Sequence, residues 1–246
     1  ATTLTSAGWT AHSAGGTNAM TVTAPGLTYS GWPGSGNAVT MATSGEDAHR
    51  TFAAQTTGTV YAGIVVNITD AAIDAANIGG YFFHLGPSPI GTTFRGRIFI
   101  KKDATNAISF GITKASTSTL ADITYTPFSY SLGTTYLLII KYTIVDGVTN
   151  DTVSLFINPT LGGAEPAPTV SATDIGATDI NPASFALRQG TAATSPTVRV
   201  DSIRIGSSWS SLVTAPPDAN ADFNGDGKTD FIVARGTASP FGDGLG

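Results

Sequence analysis

Cysteine is absent from the chain, so no disulfide framework, zinc ribbon or thiol chemistry is open to it. Charge is scarce too: 12% of the 246 residues are charged, the net charge is −5 and the pI is near 4.9. No basic patch large enough to neutralise a phosphate backbone can be assembled, which argues against nucleic acid as a partner. No apolar run reaches the length of a membrane span. Strong helix formers are few. Thr, Ser, Gly and Ala dominate instead, and β-branched runs set between Gly-rich turns predict strands. The chain opens on Ala1 without a basic stretch before an apolar one, so any signal peptide is expected to have been removed or to lie before that residue. A polar, weakly charged chain of this kind is expected to be secreted or displayed at the cell surface.

Glutamate is rare as well. Of the 17 acidic residues only Glu46 and Glu165 are glutamates. Five of the aspartates, Asp218, Asp222, Asp226, Asp230 and Asp243, crowd into the C-terminal segment, the first sign of a site for a hard cation.

Along the chain, Met20–Thr23 and Ala38–Met41 read as short strands separated by long turns, one of them Ser30–Gly36. Thr59–Ile68 is apolar on both faces and is expected to be a central strand. Asp70–Asn77 is the one helix candidate. Tyr81–Leu85, Phe94–Lys101 and Ala107–Thr113 follow as strands. Thr135–Tyr142 and Asp151–Asn158 form a predicted hairpin, with Asp146-Gly147 as its turn signal and Leu138, Ile140, Val153, Leu155 and Ile157 on its buried face. Phe185–Arg188 and Thr197–Ile205 complete the set. In the last of these Val198 and Val200 have one parity and Ile203 and Ile205 the other. A strand of period two cannot bury both pairs on one side, so a β-bulge is expected at Asp201-Ser202. It makes Asp201 a candidate second cation ligand, against the plainer reading of a carboxylate bonded to a neighbouring amide.

About ten strands without substantial helix predict an all-β, two-sheet antiparallel sandwich of jelly-roll type. The domain boundaries expected are 1–212 for the sandwich, 213–217 for a Pro-rich linker and 218–246 for a separate C-terminal unit.

The segments YFFHLG (81–86), FRGRIFIKKD (94–103), TTYLLIIKYTIVDGVTNDTVSLFINP (134–159) and VRVDSIRIGSSW (198–209) resemble the laminin-G-like, concanavalin-A-like jelly rolls of secreted bacterial multidomain proteins. The resemblance rests on core and hairpin positions. It implies stacked sheets with a face or rim that takes glycans or extracellular protein partners, and it leaves the ligand open. A second resemblance is narrower. Asp222–Arg235 is similar to the opening of an FG-GAP repeat, the calcium-loop-plus-strand unit of integrin-type propellers. Oxygens at the first, third, fifth and ninth places of such a loop converge on one point, here from Asp222, Asn224, Asp226 and Asp230, with the Lys228 carbonyl at the seventh. An EF-hand or dockerin would carry a carboxylate at the twelfth place, where Val233 stands, and then a helix. The cofactor expected is therefore Ca²⁺, on a loop that either opens further repeats or stiffens a tail. The alternative is a solvated Asx turn.

Catalysis is not expected. Glycosidic cleavage needs two carboxylates across the scissile bond, and the chain lacks the Glu-x-Asp-x-x-Glu strand of retaining glucanases. Glu46 and Asp47 are adjacent and would face opposite ways. His12, His49 and His84 lie far apart in sequence, although neighbouring strands could bring His49 and His84 together. Glu46–Phe52 is the densest polar cluster, so His49 and Arg50 are candidate ligand contacts, against Arg50 anchored under a loop. Trp32, between Gly31 and Pro33, is the candidate exposed aromatic for stacking on a sugar, while Trp209 is expected in the core. The function expected is a non-catalytic binding or adhesion module, with a structural subunit of an extracellular fibre or surface layer as the alternative and a divergent glycoside hydrolase behind it.

Overall fold

The twelve-residue run Thr59–Asp70 is rich in β-branched and small apolar residues, and both of its faces are buried along most of that length. It is the spine on which the rest is laid. The computed structural model describes residues 2–34, 36–73, 78–115 and 119–214, together with the backbone of 231–234. Its strands in chain order are β1 (Thr2–Thr3), β2 (Thr10–Ser13), β3 (Thr21–Thr23), β4 (Ala38–Met41), β5 (Asp47–Thr51) and β6 (Thr59–Asp70). Next come β7 (Gly80–Gly86), β8 (Arg95–Lys102), β9 (Ala107–Thr113), β10 (Thr124–Tyr125), β11 (Tyr130–Ser131) and β12 (Thr135–Thr143). The last are β13 (Thr152–Ile157), β14 (Val170–Ser171), β15 (Ser184–Leu187), β16 (Thr197–Gly206) and β17 (Phe231–Ala234), with a short helix α1 (Trp209–Val213) before β17.

Two sheets stack face to face as a jelly-roll sandwich. The first runs β1-β3-β4-β16-β6-β12-β13-β14, with β17 added alongside β16; the second runs β10-β9-β8-β7-β15-β5-β2, with β11 on β9. The pairings are antiparallel except that of β17, which lies parallel to β16 from Ile203 to Gly206. Between the sheets lies the main core, including Ile64, Val66, Phe83, Leu85, Ile98, Ile100, Phe110 and Phe185. The predicted hairpin is β12–β13, with Leu138 opposite Ile157 and Ile140 opposite Leu155. Its five expected core residues are all buried.

A second apolar cluster covers the outer face of the first sheet. Tyr61, Leu137, Ile139 and Phe156 of the sheet are covered there by Leu27, Trp32, Trp209 and Leu212. This explains why β6 and β12 are apolar on both faces: each is sandwiched between two packed layers. Trp209 packs as expected, on Phe156 and Tyr61 at ring distances of 5.3 and 6.1 Å. Trp32 does not stand out from its turn. It is 5% exposed, donates from Nε1 to the Ser202 carbonyl at 2.9 Å and packs on Gly63, where an added Cβ would come within 2.4 Å of the indole. The expected sugar platform is thus a core residue, and the absence of a side chain at Gly63 is what admits it.

The helix expected at Asp70–Asn77 does not begin where predicted. Asp70 ends β6, and Ile73 bridges in parallel to Lys102, so extended backbone runs through the first half of that segment; residues 74–77 lie outside the described residues. The bulge predicted in the last strand is present. The β16–β6 register shifts between Asp201 and Arg204, and Ser202 adopts a φ of +51°. Val198 and Val200 before the break and Ile203 and Ile205 after it all join the main core.

Candidate functional site

The chain's three histidines come from three different strands of the second sheet and meet on its outward face. Pairing places His49 of β5 opposite Ala186 of β15, and Ala186 opposite His84 of β7, so both imidazoles flank the one small residue between them. His12 of β2 reaches across that gap. Its ring centroid is 5.1 Å from that of His49 and 6.3 Å from that of His84. Phe94 closes the group at 4.2 Å from His84, and Tyr81 lies at 5.9 Å from it. The sequence allows His49 and His84 to meet, but does not show the place of His12 or of β15 between the other two strands. The signal that could have found the cluster was parity: His49 and His84 each alternate with core residues in their strands.

The imidazoles are held neutral. Burial lowers the pKa of His84 to about 3, and burial with repulsion from His49 lowers that of His12 to about 4; His49 moves the same way for the same reason. His84 sets its Nδ1 at 3.1 Å from the Leu85 carbonyl, which assigns the proton to Nδ1 and leaves Nε2 an acceptor. Among the described residues, that Nε2, both ring nitrogens of His12 and Nδ1 of His49 find no hydrogen-bond partner. Unsatisfied groups of this kind cost about 1–3 kcal/mol each. The cluster is therefore a concentration of unspent hydrogen-bonding capacity.

Beside it lies a cation-rich strip. The guanidinium carbons of Arg188 and Arg97 sit 4.1 and 4.7 Å from the centre of the Tyr81 ring, and Lys101 sits 4.2 Å from that of Tyr125. Asp47, next to His49, accepts from the Gln189 amide at 2.8 Å, while burial raises its pKa to about 6.

The two candidates in β5 separate. Period two puts His49 on the outward face and Arg50 on the inward one, opposite Phe185, where its guanidinium lies under Gly8. The two side chains thus leave the strand on opposite faces, with Arg50 against the Gly8 turn. Glu46 is 2% exposed and accepts from the Gly16 amide at 2.8 Å, a loop clamp of the same kind. Asp201 accepts from the Leu27 and Ser202 amides, each at 2.6 Å. It serves the bulge as an amide-bonded carboxylate.

Asp222, Asn224, Asp226, Lys228 and Asp230, the expected calcium ligands, lie outside the described residues. Among the described residues no group of three or more His, Cys, Asp or Glu side chains is arranged to hold a metal ion, and no helix is long and apolar enough to cross a membrane. A cavity of about 290 Å³ at one end of the sandwich is lined by Asp146, Asp151 and Asp179. Asp151 there accepts from the Tyr142 hydroxyl at 2.6 Å and the Val145 amide at 2.7 Å, and Asp179 from the amides of Asn150 and Asp151 at 3.0 and 3.1 Å. These carboxylates hold the hairpin turn in place.

No protein-family profile matches the chain. No curated protein matches it in sequence. Among solved structures it is similar to the endo-β-1,4-glucuronan lyase of the fungus Trichoderma reesei, with 10% identity and a TM-score of 0.47 over 80% of this chain and 90% of that one. It is also similar to the heptameric SAP-like pentraxin of Limulus polyphemus, with 12% identity and a TM-score of 0.45 over 85% and 90% of the two chains. The marine PL7 alginate lyase of Zobellia galactanivorans gives 16% identity and a TM-score of 0.42 over 74% and 85%. At such identities a likeness concerns the arrangement of strands and not the chemistry laid on them.

Proposed function

We propose that the chain is a glycan-binding module of a secreted or cell-surface protein, with its ligand seated on the outward face of the second sheet. One observation carries this reading: His12, His49 and His84 converge there beside Phe94 and Tyr81, with four ring nitrogens lacking partners. Hydroxyl-rich rings supply both the donors and the acceptors that neutral imidazoles lack, and their apolar faces suit the aromatic rings. Glycan-array binding by the whole chain, repeated with His49→Ala and Phe94→Ala, tests it. Both variants should lose at least tenfold in affinity; unchanged binding by both places the ligand elsewhere.

The reading is a non-catalytic one because Asp47 is the only carboxylate carried by the strands of that face among the described residues, whereas glycosidic hydrolysis uses two. A second reading is favoured by the neutral imidazole of His84 beside Tyr81 and Arg97. An unprotonated base near a guanidinium can remove the proton α to a sugar carboxylate; that electron pair forms the double bond as the C–O bond to the next sugar breaks, and the departing oxygen takes a proton from water. Ultraviolet absorbance of an unsaturated uronate, followed on acidic polysaccharides, separates this from binding alone.

The C-terminal segment 218–246 is proposed as a calcium unit, bound through Asp222, Asn224, Asp226, Asp230 and the Lys228 carbonyl. Three carboxylates, an amide oxygen and a carbonyl form the all-oxygen set that Ca²⁺ takes.

A further inference from the structure

We infer that the glycan taken by the outward face of the second sheet is an acidic one, carrying carboxylate or sulfate groups that lie against Arg188; this rests on the glycan reading above. The chain as a whole is acidic, at −5, yet this face is not. Its strands and their ends carry the basic side chains Arg97, Lys101 and Arg188, while the three imidazoles there are neutral. Opposed to them is Asp47. A second carboxylate, Asp174, reaches the margin from a loop, where it accepts from the Thr113 hydroxyl and the backbone amides of Lys114 and Ala115 and offsets part of the charge of Arg97. The charge of the face therefore runs against that of the protein, which is the electrostatic complement of an anionic partner.

Arg188 is the group placed to act. It is partly exposed, and its guanidinium carbon stacks 4.1 Å from the centre of the Tyr81 ring. Among the described residues no carboxylate forms an ion pair with Arg188 at contact distance, and Asp47 is the carboxylate whose charge it faces. Stacking fixes the plane of the guanidinium, one terminal nitrogen of which lies against Gly190, and a guanidinium so held can meet two oxygens at once, the arrangement suited to carboxylate or sulfate. His84 supplies the second observation. It is fully buried and its Nε2 has no partner in the same cluster. A sugar hydroxyl next to the acidic group donates to such an acceptor.

The test is an array of neutral, uronate-bearing and sulfated oligosaccharides probed with the whole chain, followed by calorimetry on the retained sugars with the parent, Arg188→Gln and Arg188→Lys. Retention of acidic sugars is expected, with affinity falling as salt rises. Arg188→Gln should weaken binding at least tenfold, and Arg188→Lys should fall between, because the charge remains but the two-oxygen fork is lost. Circular dichroism confirms that both variants fold. Uronate and sulfate arms tell the two anion sources apart. Retention of neutral sugars only, or equal binding of acidic sugars by parent and Arg188→Gln, overturns the inference while leaving the glycan reading standing. Retention of nothing overturns both.

Discussion

Gly63 and Trp32 show how much one missing side chain can settle. The indole occupies the volume a Cβ would claim, with the Arg204 guanidinium 5.2 Å above its ring. Gly63→Ala must push a fully packed ring outward, and overpacking of this kind costs about 1–3 kcal/mol. Denaturant titration should show that loss, and Trp32→Ala in the same background should show much less than additive damage. Titration adds a second prediction at this scale. His12 and His84 bind protons at lower pH in the folded state than in the unfolded one, so between the ordinary histidine range and about pH 4 the unfolded chain takes protons first and stability falls on acidification. Asp47 works the other way, since its raised pKa means that protonation below about pH 6 favours the folded state. With two strongly shifted histidines, and His49 shifted in the same direction, against Asp47 and Asp201, whose carboxyls burial raises, thermal melts should show a lower Tm at about pH 4.5 than at about pH 7, and His84→Gln should flatten that slope. Unchanged slopes would mean that the imidazoles are not held neutral by burial. The parity of His49 and His84 was legible in the sequence. The reach of His12 over Ala186 was not, because it depends on which strands are neighbours, and strand order is not written in local alternation.

At the scale of the element, the last long strand was read correctly for a physical reason. Two apolar pairs of opposite parity must share one core, and only an extra residue in the strand lets them. Asp201 holds that residue by accepting the Ser202 amide, and ties the bulge to the 25–27 turn through the Leu27 amide. Asp201→Ala leaves two buried amides without an acceptor and should cost about 1–3 kcal/mol for each. Ser202→Gly, at a φ of +51°, should be neutral or mildly stabilising. Opposite signs for the two in chemical denaturation check the assignment; equal losses would contradict it. Other elements were read less well. The Asp70–Asn77 segment has helix-forming alanines, but its start continues an extended edge that bridges to Lys102. Tertiary pairing overrode propensity there. Trp32 looked exposed because Gly and Pro flank it, a local signal that carries no information about the sheet lying beneath the turn.

For the whole molecule, the fold class was accessible because strand periodicity and composition agree along most of the chain. The second packed layer was not, since an apolar run covered by a distant turn reads the same as one covered by a sheet. The prediction at this scale concerns calcium. If the 222–230 loop binds it, folded-state binding adds RT ln(1 + [L]/Kd), about 2.7 kcal/mol at a hundredfold excess over Kd. The strand that follows, β17, lies in the first sheet beside β16. The gain should therefore appear as a rise in the melting temperature of the sandwich itself, abolished by Asp226→Ala and by chelation. Equal calorimetric binding by parent and variant, or none by either, would reduce the loop to a turn.

One edge of β16 is divided between two neighbours: β4 takes Val198–Val200, β17 takes Ile203–Gly206, and the bulge stands between them. Because β17 runs parallel to its neighbour, tension applied along the chain at its C-terminal end loads those backbone bonds in shear, all together, and does not peel them one at a time. Such a joint resists a pull along the strand better than one across it.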